Sequence, residues 1–198
     1  MSRQLILLLG GARSGKSAYA GRLAAQFGDR VLYTATAQAG DEEMQARIAA
    51  HRRARPAAWR TIDAPAGAGQ AIRAALESGA MDAVLLDCLT LLVSNAILQG
   101  VAEEDVDRVD GAAAWERIEA ELDGLSDVFR AGDVPWIVVS NEVGCGLVPP
   151  FPLGRVYRDL LGRANQRLAA EANMVYLMVA GLPLTIKYSS IPAMNNLD

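Results

Sequence analysis

Lysine, histidine and cysteine are almost missing from this 198-residue chain, which holds two lysines, one histidine and two cysteines. Cys88 and Cys145 are far apart and show no paired-cysteine spacing, which excludes a disulfide framework and a zinc site and leaves two ordinary buried thiols as the expectation. Long apolar runs are missing too. The longest early one, Leu5 to Leu9, is too short to span a bilayer and leads into a glycine-rich turn instead of a cleavage site, so no transmembrane segment and a cytoplasmic location are expected. There is no basic excess: the formal net charge is -4, which argues against a nucleic-acid partner, so an anionic ligand must be held locally. With 21% charged and 52% hydrophobic residues the chain lies far from the disordered class and can bury a core of single-domain size.

What is present is an alternation of short apolar runs with helix-like segments, the pattern of βα units around a mainly parallel sheet. Strands are expected at 4–9, 31–35, 59–62, 83–86, 136–140 and 174–179. A last short strand at 184–187 follows a Gly181-Leu182-Pro183 turn and would form an antiparallel edge. Helices are expected at 16–27, 42–53, 67–77, 90–98, 113–130 and 155–172. The acidic segment 103–110 reads as a solvated loop or a helix start. Val148 to Pro152 reads as irregular, because proline cannot donate to a ladder. The expected organisation is one P-loop nucleotide-binding domain over 1–187, of three-layer α/β type, and a tail over 188–198.

Gly10-Gly11-Ala12-Arg13-Ser14-Gly15-Lys16-Ser17 fits G-x-x-x-x-G-K-[ST], between an apolar strand and an amphipathic helix, and uses one of the two lysines. Glycines let backbone amides turn inward around phosphate, the helix start adds unpaired N–H groups, Lys16 reaches the terminal phosphates and Ser17 can ligate Mg2+. The alternative is a glycine turn without a ligand. Asp87, closing the apolar run 83–86, is the candidate carboxylate for that cation; it can equally cap the helix that follows.

Five of the 17 arginines (Arg47, Arg52, Arg53, Arg55, Arg60) cluster around His51. One reading is a solvated basic helix face with an incidental histidine. The other is a histidine nucleophile in a phosphate pocket. Asn141-Glu142, after an apolar strand, either senses phosphate or closes the strand in a turn. Arg163 and Asn165 read by default as helix-surface packing.

The blocks 10–17, Tyr33 to Ala37, Ala46 to Pro56, Trp59 to Thr61, Ser140 to Gly144 and Gly162 to Ala169 together resemble the bifunctional adenosylcobinamide kinase / adenosylcobinamide-phosphate guanylyltransferase family, over 4–187 in order. The resemblance implies two reactions. Adenosylcobinamide is phosphorylated with ATP or GTP. GMP then passes from GTP through a histidine to adenosylcobinamide phosphate, giving adenosylcobinamide-GDP and pyrophosphate. It places the nucleophile on His51, which joins Lys16 of the phosphate loop as the second candidate catalytic residue. It also implies nucleotide contacts at Gly10 to Ser17, at Ala35, Thr36 and Ala37, at Arg52, Arg53, Ala54 and Arg55, and at Asp63 and Asp87, the last two being aspartate where the family has glutamate. Mg2+ would sit on Ser17 and Asp87, and a homo-oligomer such as a trimer is expected. The competing readings are another small-metabolite P-loop kinase and a non-catalytic nucleotide switch; His51 within the arginine-rich block argues against both.

Overall fold

Alternate residues of the apolar runs find cover on opposite faces of one sheet, which is why these runs need no polar side. The computed structural model describes residues 3–38, 53, 55–102, 105 and 108–189. Its strands are β1 (Leu5–Gly10), β2 (Val31–Ala35), β3 (Arg60–Asp63), β4 (Ala83–Asp87), β5 (Trp136–Val139), β6 (Met174–Val179) and β7 (Leu182–Tyr188). The described helices are α1 (Lys16–Ala24), α2 (Ala68–Glu77), α3 (Leu89–Leu98), α4 (Gly111–Ala131) and α5 (Pro152–Glu171). The expected helix at 42–53 lies outside the described residues apart from Arg53, as do Glu103, Glu104 and Asp107 of the acidic segment and the tail beyond Ser189.

The seven strands run in the order β3-β2-β4-β5-β1-β6-β7, all parallel except the antiparallel β6–β7 pair. In β1, Leu5 and Leu7 enter the core under α2 to α5, whereas Ile6 and Leu8 enter the core under α1. Burial on both faces is what a parallel sheet between two helical layers requires. β5 is inserted between β4 and β1, so the strand ending in Asp87 is not β1's immediate neighbour.

Three helix ends are satisfied by side chains. Asp110 accepts from the amides of Ala112 (2.8 Å) and Ala113 (3.3 Å), which makes the last acid of the acidic segment the cap of α4. α2 has no cap of its own; Glu121 of α4 accepts from the amides of Gly67 and Ala68 instead. Arg117 donates to the carbonyls of Ala96 and Ile97 at the end of α3.

Two local expectations are corrected. The β6–β7 turn is the pair Ala180-Gly181, both at positive φ (51° and 82°), a geometry that matches the twist of a two-residue hairpin. Leu182 and Pro183 already belong to β7, and proline is tolerated there because β7 is an edge strand. Pro152 is not in irregular chain either: it opens α5, where its missing N–H costs nothing.

Candidate active site

Parallel strands bring their carboxyl ends to one edge of the sheet, and the polar residues picked out by sequence collect there. The register places Asp63, Ala35, Asp87, Val139 and Leu8 in one row across β3, β2, β4, β5 and β1. Two residues beyond Leu8, Gly10 ends β1 and the chain turns through the glycine-rich loop into α1.

The loop takes its shape from backbone conformations that few residues adopt. Gly15, at φ 93°, is the N-cap of α1, and a Cβ there would stand 3.0 Å from Cα of Gly181. Arg13 holds φ 56°, unusual for a residue with a side chain and characteristic of strained ligand loops. The Gly181 amide donates to Ser14 O (2.9 Å), so the β6–β7 turn supports the loop from behind.

Lys16 is only 7% exposed. Its Nζ donates to the carbonyls of Gly10 (2.8 Å) and Gly11 (2.6 Å), curling the side chain back over its own loop. Burial lowers its pKa from the ordinary lysine value, while nearby Cys88 and Asp87 pull it back up. Phosphate oxygens offered to this ammonium would replace two neutral carbonyls with charged acceptors.

Asp87 is half-buried and accepts from the Tyr33 hydroxyl at 2.7 Å. Burial and then the Asp87 charge push the Tyr33 pKa far up, so the phenol stays a donor. The Arg55 guanidinium lies 3.5 Å from the centre of the Tyr33 ring, and Trp59 stacks near the same ring at 6.4 Å. Tyr33 therefore joins the candidate metal carboxylate to the arginine-rich segment. Its signal in the sequence was a hydroxyl within an apolar strand. Arg53 and Arg55 are described; His51, Arg52 and Ala54 lie outside the described residues.

The loop after β2 is tied down by polar groups. Thr36 is buried, and its Oγ1 donates to Cys88 O (2.6 Å) and accepts from Cys88 N (2.9 Å), which commits that hydroxyl to the peptide following Asp87. Asn95 of α3 donates to the carbonyls of Thr36 and Pro65, both at 2.9 Å. Asn95 was not picked out from the sequence, although a lone amide in the apolar run 89–98, here half-buried, is a polar group that merits notice.

The exit of β5 shows the clearest departure from the sequence reading. Asn165 is not on the helix surface. It is buried, accepts from Ser140 Oγ (2.6 Å) and donates to Asn141 O (3.0 Å), while Thr90 Oγ1 accepts from Asn141 N (2.7 Å). The Glu142 carboxylate accepts from the Gly144 amide, so it closes the strand in a turn. Arg163 does lie on the helix surface, over the Trp115 ring at 3.8 Å. Cys145 is exposed, contrary to the expectation of two buried thiols, because it lies in the loop past that turn. Cys88 is half-buried, and burial pushes its thiol up to about 11.

No three His, Cys, Asp or Glu side chains come together as a metal cage among the described residues. The Ser17 hydroxyl and Asp87 carboxylate are hard oxygen donors, the kind that suit Mg2+ when phosphate and water oxygens complete its shell.

Loop amides, a buried ammonium and a helix start aimed at one edge of a parallel sheet make this a nucleotide-binding protein of the P-loop class. Comparison with known proteins narrows the class. The family model described as cobinamide kinase / cobinamide phosphate guanyltransferase matches residues 6–186, and the chain belongs to that family. It is 42% identical over 185 residues to the bifunctional adenosylcobalamin biosynthesis protein CobU of Escherichia coli, covering 92% of this chain and 99% of that protein. To the bifunctional adenosylcobalamin biosynthesis protein CobP of Pseudomonas aeruginosa it is 46% identical over 183 residues, covering 91% of this chain and 96% of that protein. Among solved structures, a KaiC-like protein of Pyrococcus horikoshii aligns with TM-score 0.49 and 12% identity over 89% of this chain and 71% of that one, too loose a likeness to bear on function. No described helix is long and apolar enough to cross a membrane.

Proposed function

We infer that this chain is a bifunctional enzyme of adenosylcobalamin biosynthesis, a cobinamide kinase and cobinamide phosphate guanylyltransferase, and that one triphosphate pocket serves both reactions. The observation that carries the reading is the phosphate loop with its buried Lys16, in a chain of this family. Its substrates are ATP or GTP, adenosylcobinamide and adenosylcobinamide phosphate, and its place of work is the cytoplasm.

In the kinase step the aminopropanol hydroxyl oxygen of adenosylcobinamide bonds to the γ-phosphorus as the bond to the β-phosphate oxygen breaks; the nucleoside diphosphate and a proton leave. Such a transfer asks the protein mainly to position groups and to neutralise charge, tasks that fall to the loop amides and Lys16. Ser17 and Asp87 would hold Mg2+, which when bound neutralises phosphate charge. In the guanylyl step a ring nitrogen of His51 bonds to the α-phosphorus of GTP and pyrophosphate leaves. An oxygen of adenosylcobinamide phosphate then displaces the imidazole from that phosphorus, giving adenosylcobinamide-GDP and free His51. Arg52, Arg53 and Arg55 balance the triphosphate charge. Arg55, seated on the Tyr33 ring, is the member of that group that the ring links to Asp87.

The test is incubation with Mg2+ and GTP labelled at the α-phosphate, followed by denaturation. An acid-labile, alkali-stable protein label that His51→Ala abolishes is expected, with kinase activity retained by that variant. Lys16→Ala is expected to weaken both reactions. Label surviving His51→Ala overturns the assignment; γ-phosphoryl transfer without any α-label indicates a kinase of another kind.

A further inference from the structure

We propose that the loop 143–151, which follows β5, is the platform for the corrinoid acceptor, with the side chains of Leu147, Val148 and Phe151 meeting the apolar faces of its macrocycle. The proposal rests on the functional reading above and adds the seat of the second substrate.

The loop grows directly out of the phosphate site. The Glu142 amide donates to Gly10 O (3.0 Å), the first residue of the phosphate loop, and β5 is hydrogen-bonded to β1 along its length. Thr90 and Asn165 hold Asn141 from the other sides. At its far end Arg155 Nη1 donates to the carbonyls of both Pro149 (3.0 Å) and Pro150 (2.8 Å), and two prolines restrict the chain between. Both ends of the loop are thus fixed by hydrogen bonds to the fold.

The side chains are nonetheless turned outward. Leu147 is 96% exposed, Val148 64% and Phe151 68%. Leu98 aside, the remaining large apolar side chains strongly exposed among the described residues lie on the β6–β7 edge. A cluster of this kind on a well-anchored loop marks a place where another molecule is received. Its position selects the occupant. The reaction needs a second substrate whose hydroxyl arrives at the γ-phosphoryl, and this loop leaves the strand that adjoins the phosphate loop. A corrin ring presents broad methyl-bearing faces, which apolar side chains can cover, and an amide rim, which the loop's open backbone groups can meet. An anchored surface also loses little conformational entropy when it binds.

The experiment compares wild type with the double variant Leu147→Ser/Val148→Ser and with Phe151→Ser. Serine is a favoured residue at the extended N-cap position that Phe151 holds, and Leu147 and Val148 touch no core, so all variants should fold. Cobinamide phosphorylation is followed against cobinamide and, separately, against nucleotide concentration, with molecular mass checked by light scattering. The expected result is a cobinamide KM raised tenfold or more in the double variant, and raised also in Phe151→Ser, with nucleotide KM within twofold of wild type and mass unchanged. An unchanged cobinamide KM overturns the proposal, as does a parallel rise in nucleotide KM. A fall in assembly mass also overturns it, assigning the loop to contact between copies of the chain. A wild-type protein inactive on cobinamide refutes the functional reading itself and this proposal with it; an active wild type with unaffected serine variants refutes only the platform.

Discussion

Removing the amide of Asn165 should cost more than any surface change on α5. Asn165→Ala deletes the acceptor of Ser140 Oγ at 2.6 Å and the donor to Asn141 O at 3.0 Å, both beneath the exit of β5. Two neutral hydrogen bonds contribute about 0.5–1 kcal/mol each, and leaving the fully buried Ser140 hydroxyl unmet adds about 1–2 kcal/mol, so a loss of about 2–4 kcal/mol follows. For a chain of this size that lowers Tm by roughly 4–16 °C. Urea unfolding and calorimetry of the nucleotide-free protein measure it. Ser140→Ala removes the same bond from the other side, so the double variant Ser140→Ala/Asn165→Ala should lose less than the two single losses together, by about 1 kcal/mol or more. Asn165→Asp keeps the acceptor but points a second oxygen at a carbonyl. Folding then favours a protonated carboxyl, whose folded pKa is raised, so this variant's deficit should shrink as pH falls toward the carboxylate range. An Asn165→Ala loss under about 0.5 kcal/mol, or strict additivity with Ser140→Ala, would refute the reasoning.

Three further outcomes are expected. A Cβ on Gly69 of α2 would stand 2.4 Å from the Gly124 backbone of α4, whereas one on Gly124 would stand 4.0 Å from Gly69. Gly69→Ala should therefore destabilise by about 1–3 kcal/mol and Gly124→Ala should be neutral or stabilise by up to about 1 kcal/mol; denaturant midpoints in the reverse order contradict this. Cys145 is exposed, while the half-buried Cys88 thiol is pushed up to about 11, so a disulfide reagent at pH 8 should titrate one fast thiol in the native chain and two after unfolding. Cys145→Ser should remove the fast one; a Cys88 that reacts equally fast speaks against its burial. Burial holds Lys16 below its ordinary pKa, so the unfolded chain binds its proton more readily and this residue's penalty on stability is relieved as pH rises toward 10.5. Unfolding free energies of wild type minus Lys16→Met should move in favour of wild type over that window, and a flat difference would contradict the shift.

Features built by consecutive residues were legible in the sequence. The alternation of apolar runs and helical segments set the α/β architecture, since a strand's two buried faces and a helix's one are local periodicities. The phosphate loop was legible because its eight positions are contiguous, and the signal was sharpened by a chain with only two lysines. The resemblance blocks led to the family for the same reason: each is a short run whose order along the chain needs no knowledge of contacts.

Pairings between distant residues were decided only by the tertiary structure. β5 lies between β4 and β1, which brings Ser140 and Asn141 against Asn165 and turns an apparent surface amide into a buried bridge. The same packing joins Tyr33 to Asp87 and Arg55, ties Thr36 to Cys88, and leaves Leu147, Val148 and Phe151 without cover. Whether a polar side chain is buried and bonded, or an apolar one exposed, depends on which strand lies beside which. That order is set by how helices cover the whole sheet, a global packing condition which no local period encodes.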